Sequence, residues 1–282
     1  MAIERVAVVG AGLMGSGIAQ AVATAGLPVT LFDNDRTQLE RAMAGVKRLL
    51  DRAVEKGKLP AEEAAAIHAR IVPTASLATA VDETDLVIEA VPERLDLKKQ
   101  VFAELARLAP ERAILASNTS GLPVTELGAA AGCPDRVLGM HFFYPAPVMK
   151  LVELVRGLGT SEEAYQAAKA VCVRMGKETV DAPDYPGFIV NRLLVPMLNE
   201  AIFLVMEGCR PEEVDRAMKF GANHPMGPIE LADFVGLDVL LATMRGLYEG
   251  FRDSKYRPCP LLVKMVQAGR LGRKTGQGFY SY

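Results

Sequence analysis

The sequence predicts an α/β fold: a mainly parallel sheet, followed by an all-α C-terminal domain. Three observations predict it. An apolar run, Val6-Ala7-Val8-Val9, enters the glycine pattern Gly10-Ala11-Gly12-Leu13-Met14-Gly15 and continues into a helix-forming stretch that ends near Gly26. Short apolar runs then alternate with helical periodicity as far as Val155, the pattern of a parallel sheet with crossover helices. Around Asp181-Ala182-Pro183-Asp184-Tyr185-Pro186-Gly187, prolines and a glycine separate strand-like sequence from a run of helices. The domain boundary is placed there, giving domains of residues 1–184 and 185–282.

Within the first domain each element has its reason. Gly10 permits a tight turn out of the strand, Gly12 lets the backbone approach a pyrophosphate, and Gly15 lets the helix pack closely on the sheet. The helix N-terminus, at Leu13 and Met14, faces the anion with free N–H groups. The next apolar run, Val29-Thr30-Leu31-Phe32, ends in Asp33, about 20 residues beyond the glycines, where an acid binds ribose hydroxyls. This makes the domain Rossmann-type. A carboxylate there repels a 2′-phosphate, which favours NAD over NADP, although the nearby Arg36 is of a type that serves NADP. Charged helical periodicity covers about Thr37 to Ala69 and reads as two helices. Its basic stretch, Lys47-Arg48 through Lys56-Gly57-Lys58, is either a solvated face or a grip on a phosphate-rich substrate tail. Strands return at 85–90, 113–117 and 137–142. Ligands collect at the carboxyl ends of such strands, which directs Pro92-Glu93, Asn118-Thr119-Ser120 and His141 toward one crevice.

The second domain reads as a helix from Phe188 to about Glu207, another opening at Pro211-Glu212-Glu213, and a third around Ile229 to Leu247. The segment from Phe188 to Met206 is the longest apolar one, but Asn191, Arg192, Asn199, Glu200 and Pro196 argue for a buried or interfacial helix rather than a membrane span. Helices this apolar bury more than one face, which predicts a homodimer formed through the C-terminal domain.

Composition narrows the class. A chain of 282 residues, 50% hydrophobic, suits two domains with a sizeable core. With 32 basic and 34 acidic side chains, nothing favours nucleic acid or an anionic membrane as partner. The first residues run straight into a strand without a signal-peptide pattern. Cys133, Cys172, Cys209 and Cys259 have no metal-ligand spacing and read as reduced thiols of a cytoplasmic protein.

Removing a hydride from an alcohol carbon leaves a hydroxyl proton to be taken up, so a base is needed. Of the three histidines, His68 falls in a charged helical stretch and reads as a surface residue. His224 falls in a turn-rich loop and reads as a capping or packing residue. His141 ends a strand that points into the crevice. Glu153 is an isolated acid in the next apolar run, Lys150-Leu151-Val152-Glu153-Leu154-Val155; it either faces solvent or needs a buried partner. If the two runs are adjacent, the carboxylate holds the imidazole in one tautomer and stabilises its protonated form.

These residues resemble the 3-hydroxyacyl-CoA dehydrogenase family, particularly its short bacterial 3-hydroxybutyryl-CoA type, over nearly the whole chain. The matching motifs are residues 9–15, Ser117-Asn118-Thr119-Ser120, His141-Phe142-Phe143, Pro145-Ala146-Pro147-Val148-Met149, Gly187-Phe188-Ile189-Val190-Asn191-Arg192, Asn223-His224-Pro225-Met226-Gly227-Pro228 and the tail 272–280. The resemblance implies reversible NAD-dependent oxidation of an L-3-hydroxyacyl-CoA to the 3-ketoacyl-CoA, with His141 as general base and Glu153 as its orienting partner. It implies that Ser120 and Asn191 bond the reacting substrate oxygen or thioester carbonyl, and that Glu93, Lys98 and Asn118 line the cofactor cleft. Lys56 is the basic residue assigned to the coenzyme A tail. Capping is the structural alternative for Ser120 and Asn191, and Asn191 is expected several residues into its helix. One position departs from the family: Tyr144 stands where the family carries asparagine, so a single hydroxyl on a larger ring replaces an amide next to the acyl site. Two other functions fit parts of the pattern. One is an NAD dehydrogenase of the same superfamily acting on a free hydroxy acid or sugar acid; the other is a dinucleotide-binding module without turnover.

Overall fold

The alternating runs of the first domain assemble into a single eight-stranded sheet in a unit that ends at Asp184, while Tyr185–Tyr282 form a second unit. The computed structural model describes residues 2–282. In chain order the first unit is β1 (Val6–Val9), α1 (Leu13–Thr24), β2 (Val29–Phe32), α2 (Arg36–Glu55), α3 (Ala61–Ala69), β3 (Ile71–Thr74), α4 (Leu77–Val81), β4 (Leu86–Glu89), α5 (Leu95–Leu108), β5 (Ile114–Ser117), α6 (Val124–Ala131), β6 (Val137–Phe142), β7 (Leu151–Arg156), α7 (Glu162–Arg174) and β8 (Glu178–Pro183). The strands lie in the order β3-β2-β1-β4-β5-β6-β7-β8. All pairs are parallel except β6 with β7. The chain turns back past β1 to reach β4, so the switch point of strand order sits over the carboxyl ends of β1 and β4.

Burial explains which strands the sequence revealed. Every position of β1, β4, β5 and β6 is buried, and strands covered on both faces read as continuous apolar runs. The two edge strands, β3 and β8, are absent from the expected set. β3 carries Pro73, which an edge strand tolerates because its missing N–H faces no neighbour, and β8 is largely exposed.

The second unit contains α8 (Val190–Met206), α9 (Pro211–Gly221), α10 (Pro228–Val235), α11 (Leu237–Phe251) and α12 (Pro260–Gln267), packed around Leu198, Ile202, Ile229, Leu240, Met244 and Leu262. Two expectations need correction. The first helix starts at Val190, not Phe188, because Gly187 and Phe188 have φ of +74° and +48°, outside right-handed helix geometry. Asn191 is therefore the second residue of α8 rather than an interior one. The single helix expected over 229–247 is two, broken at Gly236, whose φ is +101°.

Among the described residues no helix is long and apolar enough to cross a membrane. Within α8 the buried Asn199 instead pins a loop: its Nδ2 donates to the Arg257 carbonyl at 3.1 Å and its Oδ1 accepts from Cys259 N–H at 2.8 Å. Two buried aspartates clasp the C-terminal tail. Asp233 accepts from the N–H groups of Phe279 and Tyr280 at 3.0 and 2.9 Å, and Asp215 accepts from the N–H of Ile229 at 2.7 Å and the Tyr280 hydroxyl at 2.7 Å.

In the first unit Asp85 plays the same part for the chain start. Its Oδ2 accepts from the N–H groups of Glu4 and Arg5 at 3.0 and 3.1 Å, and its Oδ1 from Arg112 Nε at 3.1 Å. Burial works to raise this carboxyl, but the two N–H groups and the guanidinium outweigh it and hold its pKa below the ordinary 3.8. A lowered folded-state pKa stabilises above the unfolded value and ceases to do so as pH falls through the lowered one. Asp85→Asn should therefore lower stability by about 1–2 kcal/mol at pH 7. In urea unfolding at a series of pH values, the gap to wild type should narrow once pH drops below 3.8; a gap independent of pH would show that charge is not the cause.

Candidate active site

The glycine loop between β1 and α1 divides its work as the spacing requires. Gly10 has φ +106°, donates its N–H to the Phe32 carbonyl at 2.8 Å, and lies so close to β4 that a Cβ would stand 2.7 Å from the Ala90 oxygen. A Cβ on Gly15 would stand 1.7 Å from the Gly10 oxygen, so α1 can rest on the sheet only with glycine there. A Cβ on Gly12 would meet nothing within 4 Å. That opening lies over the first turn of α1, at Leu13 and Met14, where no side chain caps the helix. Asp33, at the end of β2, is already oriented: its Oδ2 accepts from Ala11 N–H at 2.8 Å and its Oδ1 from Asp35 N–H at 3.0 Å. An uncapped helix N-terminus with open space above it, and a fixed carboxylate beside it, suit the pyrophosphate and ribose diol of NAD. Arg36 is exposed at the start of α2.

At the ends of β4 and β5 a chain of charged and hydroxyl groups joins several elements. Glu89 is fully buried; its Oε1 accepts from Lys98 Nζ at 2.6 Å and Val91 N–H at 2.7 Å, and its Oε2 from the Ser117 hydroxyl at 2.6 Å. Lys98, on α5, is 1% exposed and also lies 3.3 Å from Glu93 Oε2. The other oxygen of Glu93 accepts from Thr119 Oγ1 at 2.6 Å, Ser120 N–H at 2.8 Å and Ser120 Oγ at 3.1 Å. The ammonium expected to line the cofactor cleft is thus taken up by two carboxylates.

The antiparallel register of β6 and β7 sets His141 opposite Glu153. Both are buried, and His141 Nδ1 lies 2.6 Å from Glu153 Oε2. The His141 ring also meets the Phe143 ring, with centroids 4.4 Å apart and planes tilted by 47°. Asn118 ties this strand to the β5 end, its Oδ1 accepting Phe142 N–H at 2.9 Å.

The first unit thus gathers Gly10, Gly12, Leu13, Met14, Gly15 and Asp33 at one end of the sheet edge, Glu93, Asn118 and Ser120 in the middle, and His141 with Glu153 beyond. Tyr144 is 52% exposed in the turn after β6, on the amino side of a cis peptide bond to Pro145. Lys56 is exposed at the C-terminal end of α2, and Asn191 belongs to the second unit. His68 is half-buried in a groove of about 470 Å³ between α2 and α3, which corrects its reading as a surface residue. Sequence reading missed Glu89, although it is a lone acid closing an apolar strand, the same signal that picked out Glu153.

A family model of the 3-hydroxyacyl-CoA dehydrogenase NAD-binding domain matches residues 5–185, and one of the same family's C-terminal domain matches residues 187–282. The chain belongs to the 3-hydroxyacyl-CoA dehydrogenase family. It is 50% identical over 283 aligned residues to a probable 3-hydroxybutyryl-CoA dehydrogenase of Bacillus subtilis, covering 100% of this chain and 98% of the relative. To the 3-hydroxybutyryl-CoA dehydrogenase of Bradyrhizobium diazoefficiens it is 48% identical, covering 99% and 96%. The crystal structure of (S)-3-hydroxybutyryl-CoA dehydrogenase from Ralstonia eutropha superposes with a TM-score of 0.95 at 47% identity, covering 100% of this chain and 99% of that one. The enzyme is an NAD-dependent oxidoreductase.

The cradle makes opposite forecasts for two like substitutions. Gly12→Ala should fold with a melting temperature near that of wild type and weaken NADH binding about tenfold or more, since its methyl enters the space over the helix N-terminus. Gly15→Ala should lose the folded first unit, because its methyl meets backbone. Fluorescence titration with NADH and thermal unfolding of both variants check the pair; equal behaviour would overturn the division of roles.

Proposed function

We propose that the enzyme interconverts L-3-hydroxyacyl-CoA and 3-ketoacyl-CoA, with 3-hydroxybutyryl-CoA as a substrate. The observation that carries this reading is the buried His141–Glu153 pair at the strand end, 2.6 Å apart. With Nδ1–H donated to Glu153, Nε2 is the accepting nitrogen and takes the substrate's hydroxyl proton. The Glu153 carboxylate then balances the imidazolium, and Phe143 limits how the ring can turn. NAD, when bound, supplies the hydride acceptor; Gly10, Gly12, Leu13, Met14, Gly15, Asp33, Glu93 and Asn118 hold it. Lys98 serves that cleft through Glu93, which it grips. Ser120 and Asn191 are the residues we assign to the reacting oxygen, where fixed donors stabilise developing negative charge.

The names of the relatives support a short acyl-CoA. Lys56 is our choice for the coenzyme A tail, and Tyr144 for the acyl end, where its ring would reshape the pocket. Exposed apolar side chains on the second unit, among them Leu193, Phe220 and Val239, support a homodimer formed there, which light scattering would read as twice the 30.3 kDa chain mass. Four free cysteines accord with a cytoplasmic site.

Absorbance of NADH with acetoacetyl-CoA tests the reaction. Wild type should turn over, His141→Ala should lose about 10²-fold or more in kcat with NADH affinity kept, and free acetoacetate should be inert. Turnover of acetoacetate at a similar rate would favour a free hydroxy acid as substrate. Tyr144→Asn should shift relative rates across a panel of acyl chain lengths; an unchanged panel would remove Tyr144 from the acyl site.

A further inference from the structure

Lys177 immediately precedes the edge strand β8, yet the residue is 7% exposed. Its Nζ donates to the carbonyl oxygens of Ala146 at 2.6 Å and Met149 at 2.8 Å. Among the described residues it has no carboxylate partner; burial lowers its pKa, opposed only by nearby Cys172. Burying an ammonium without a counter-ion is costly, and here the compensation comes from two carbonyl dipoles of one turn.

That turn follows the proposed base directly. The Pro145 carbonyl accepts the N–H groups of Val148 and Met149 at 2.9 and 3.0 Å, and the Lys150 carbonyl accepts Glu178 N–H at 2.8 Å. Ala146 is buried, and Ala146 and Pro147 lie against α1 at Gly17, where a Cβ would be 3.4 Å from each. The loop therefore runs from His141, past Phe143 on the His141 ring, to the helix that opens at the glycine cradle. Meanwhile Tyr144, Val148 and Met149 hold their apolar side chains in the open.

We propose that Lys177 is a positioning residue for acyl selectivity: its grip on the carbonyls of Ala146 and Met149 makes the 143–149 loop a rigid wall and fixes where Tyr144 stands. This rests on the reading of Tyr144 as part of the acyl site. Lysine is suited to the task because three donors on one flexible stem can reach both carbonyls.

The chain contains no tryptophan, so Tyr144→Trp introduces a single indole into the loop. In that background Lys177→Met, which keeps the apolar stem and removes the donors, should raise collisional quenching of the indole about threefold or more and speed its anisotropy decay, with far-UV circular dichroism and NADH affinity unchanged. Lys177→Arg should restore part of the loss, because it keeps donors. With Tyr144 in place, Lys177→Met should raise the KM for acetoacetyl-CoA about tenfold and flatten the chain-length preference while kcat falls less. Should Lys177→Met not fold, hydrogen exchange on the wild-type enzyme decides instead: the amides of Val148 and Met149 should be protected without ligand, and rapid exchange there overturns the rigid wall. Unchanged quenching and chain-length preference in folded Lys177→Met would equally overturn the proposal. The optical and exchange readings need no turnover, so a failed acetoacetyl-CoA assay would count against the proposed function and leave the role of Lys177 in the loop to be judged separately.

Discussion

One reversal of strand direction shapes the end of the sheet that carries His141. Every strand pair is parallel except β6 with β7, and a parallel neighbour would have needed a long crossover between them. The short antiparallel return puts Glu153 directly across from His141, on the same face and within hydrogen-bond reach. A shift of one residue in that register would turn Glu153 to the opposite face and leave the imidazole without its carboxylate. The return also creates the 143–150 loop, whose middle is held by Lys177 and by packing against Gly17 of α1.

Fixed charges do the anchoring in several places, each time by organising backbone. Asp33 holds Ala11 of the glycine loop, Asp85 holds the chain start, Glu89 and Lys98 hold the ends of β4 and β5, and Lys177 holds the turn after His141. Buried ion pairs are poor sources of net stability, since desolvation cancels much of the attraction. What they supply here is geometry: the groups at the carboxyl ends of the strands are held in fixed positions. Glu93 shows this best, with one oxygen near Lys98 and the other shared by Thr119 and Ser120.

The second unit uses the same device for a different end. Its glycine-bearing tail, 272–278, packs closely on α10: a Cβ on Gly278 would stand 2.0 Å from Asp233 Oδ1. Asp233 and Asp215 gather N–H groups and the Tyr280 hydroxyl, and thereby tie the last residues to α9 and α10. Tyr280 in turn is held well above the ordinary tyrosine pKa by burial and by Asp215, so its proton stays to make that bond.

The sequence by itself determined the Rossmann-type sheet and its glycine loop, and singled out His141 and Glu153 as candidates for a pair; the antiparallel register of β6 and β7 decided that they meet. These were legible because local pattern carries them: strands buried on both faces are apolar throughout, glycine spacing follows from backbone approach, and a lone acid in an apolar run needs a partner. Only the tertiary structure decided the edge strands β3 and β8, the late start of α8 that puts Asn191 in its first turn, the break at Gly236, and the burial of Lys98 and Lys177. An edge strand is defined by what lies beside it, and a lysine in a charged stretch reads as solvated until carboxylates or carbonyls from elsewhere close around it. Lys177 reaches back to Ala146 and Met149, and Glu89 forward to Ser117, so no local window contains both halves of those interactions; Glu89 and Glu93 lie near Lys98 in sequence, but only the fold turns them toward it.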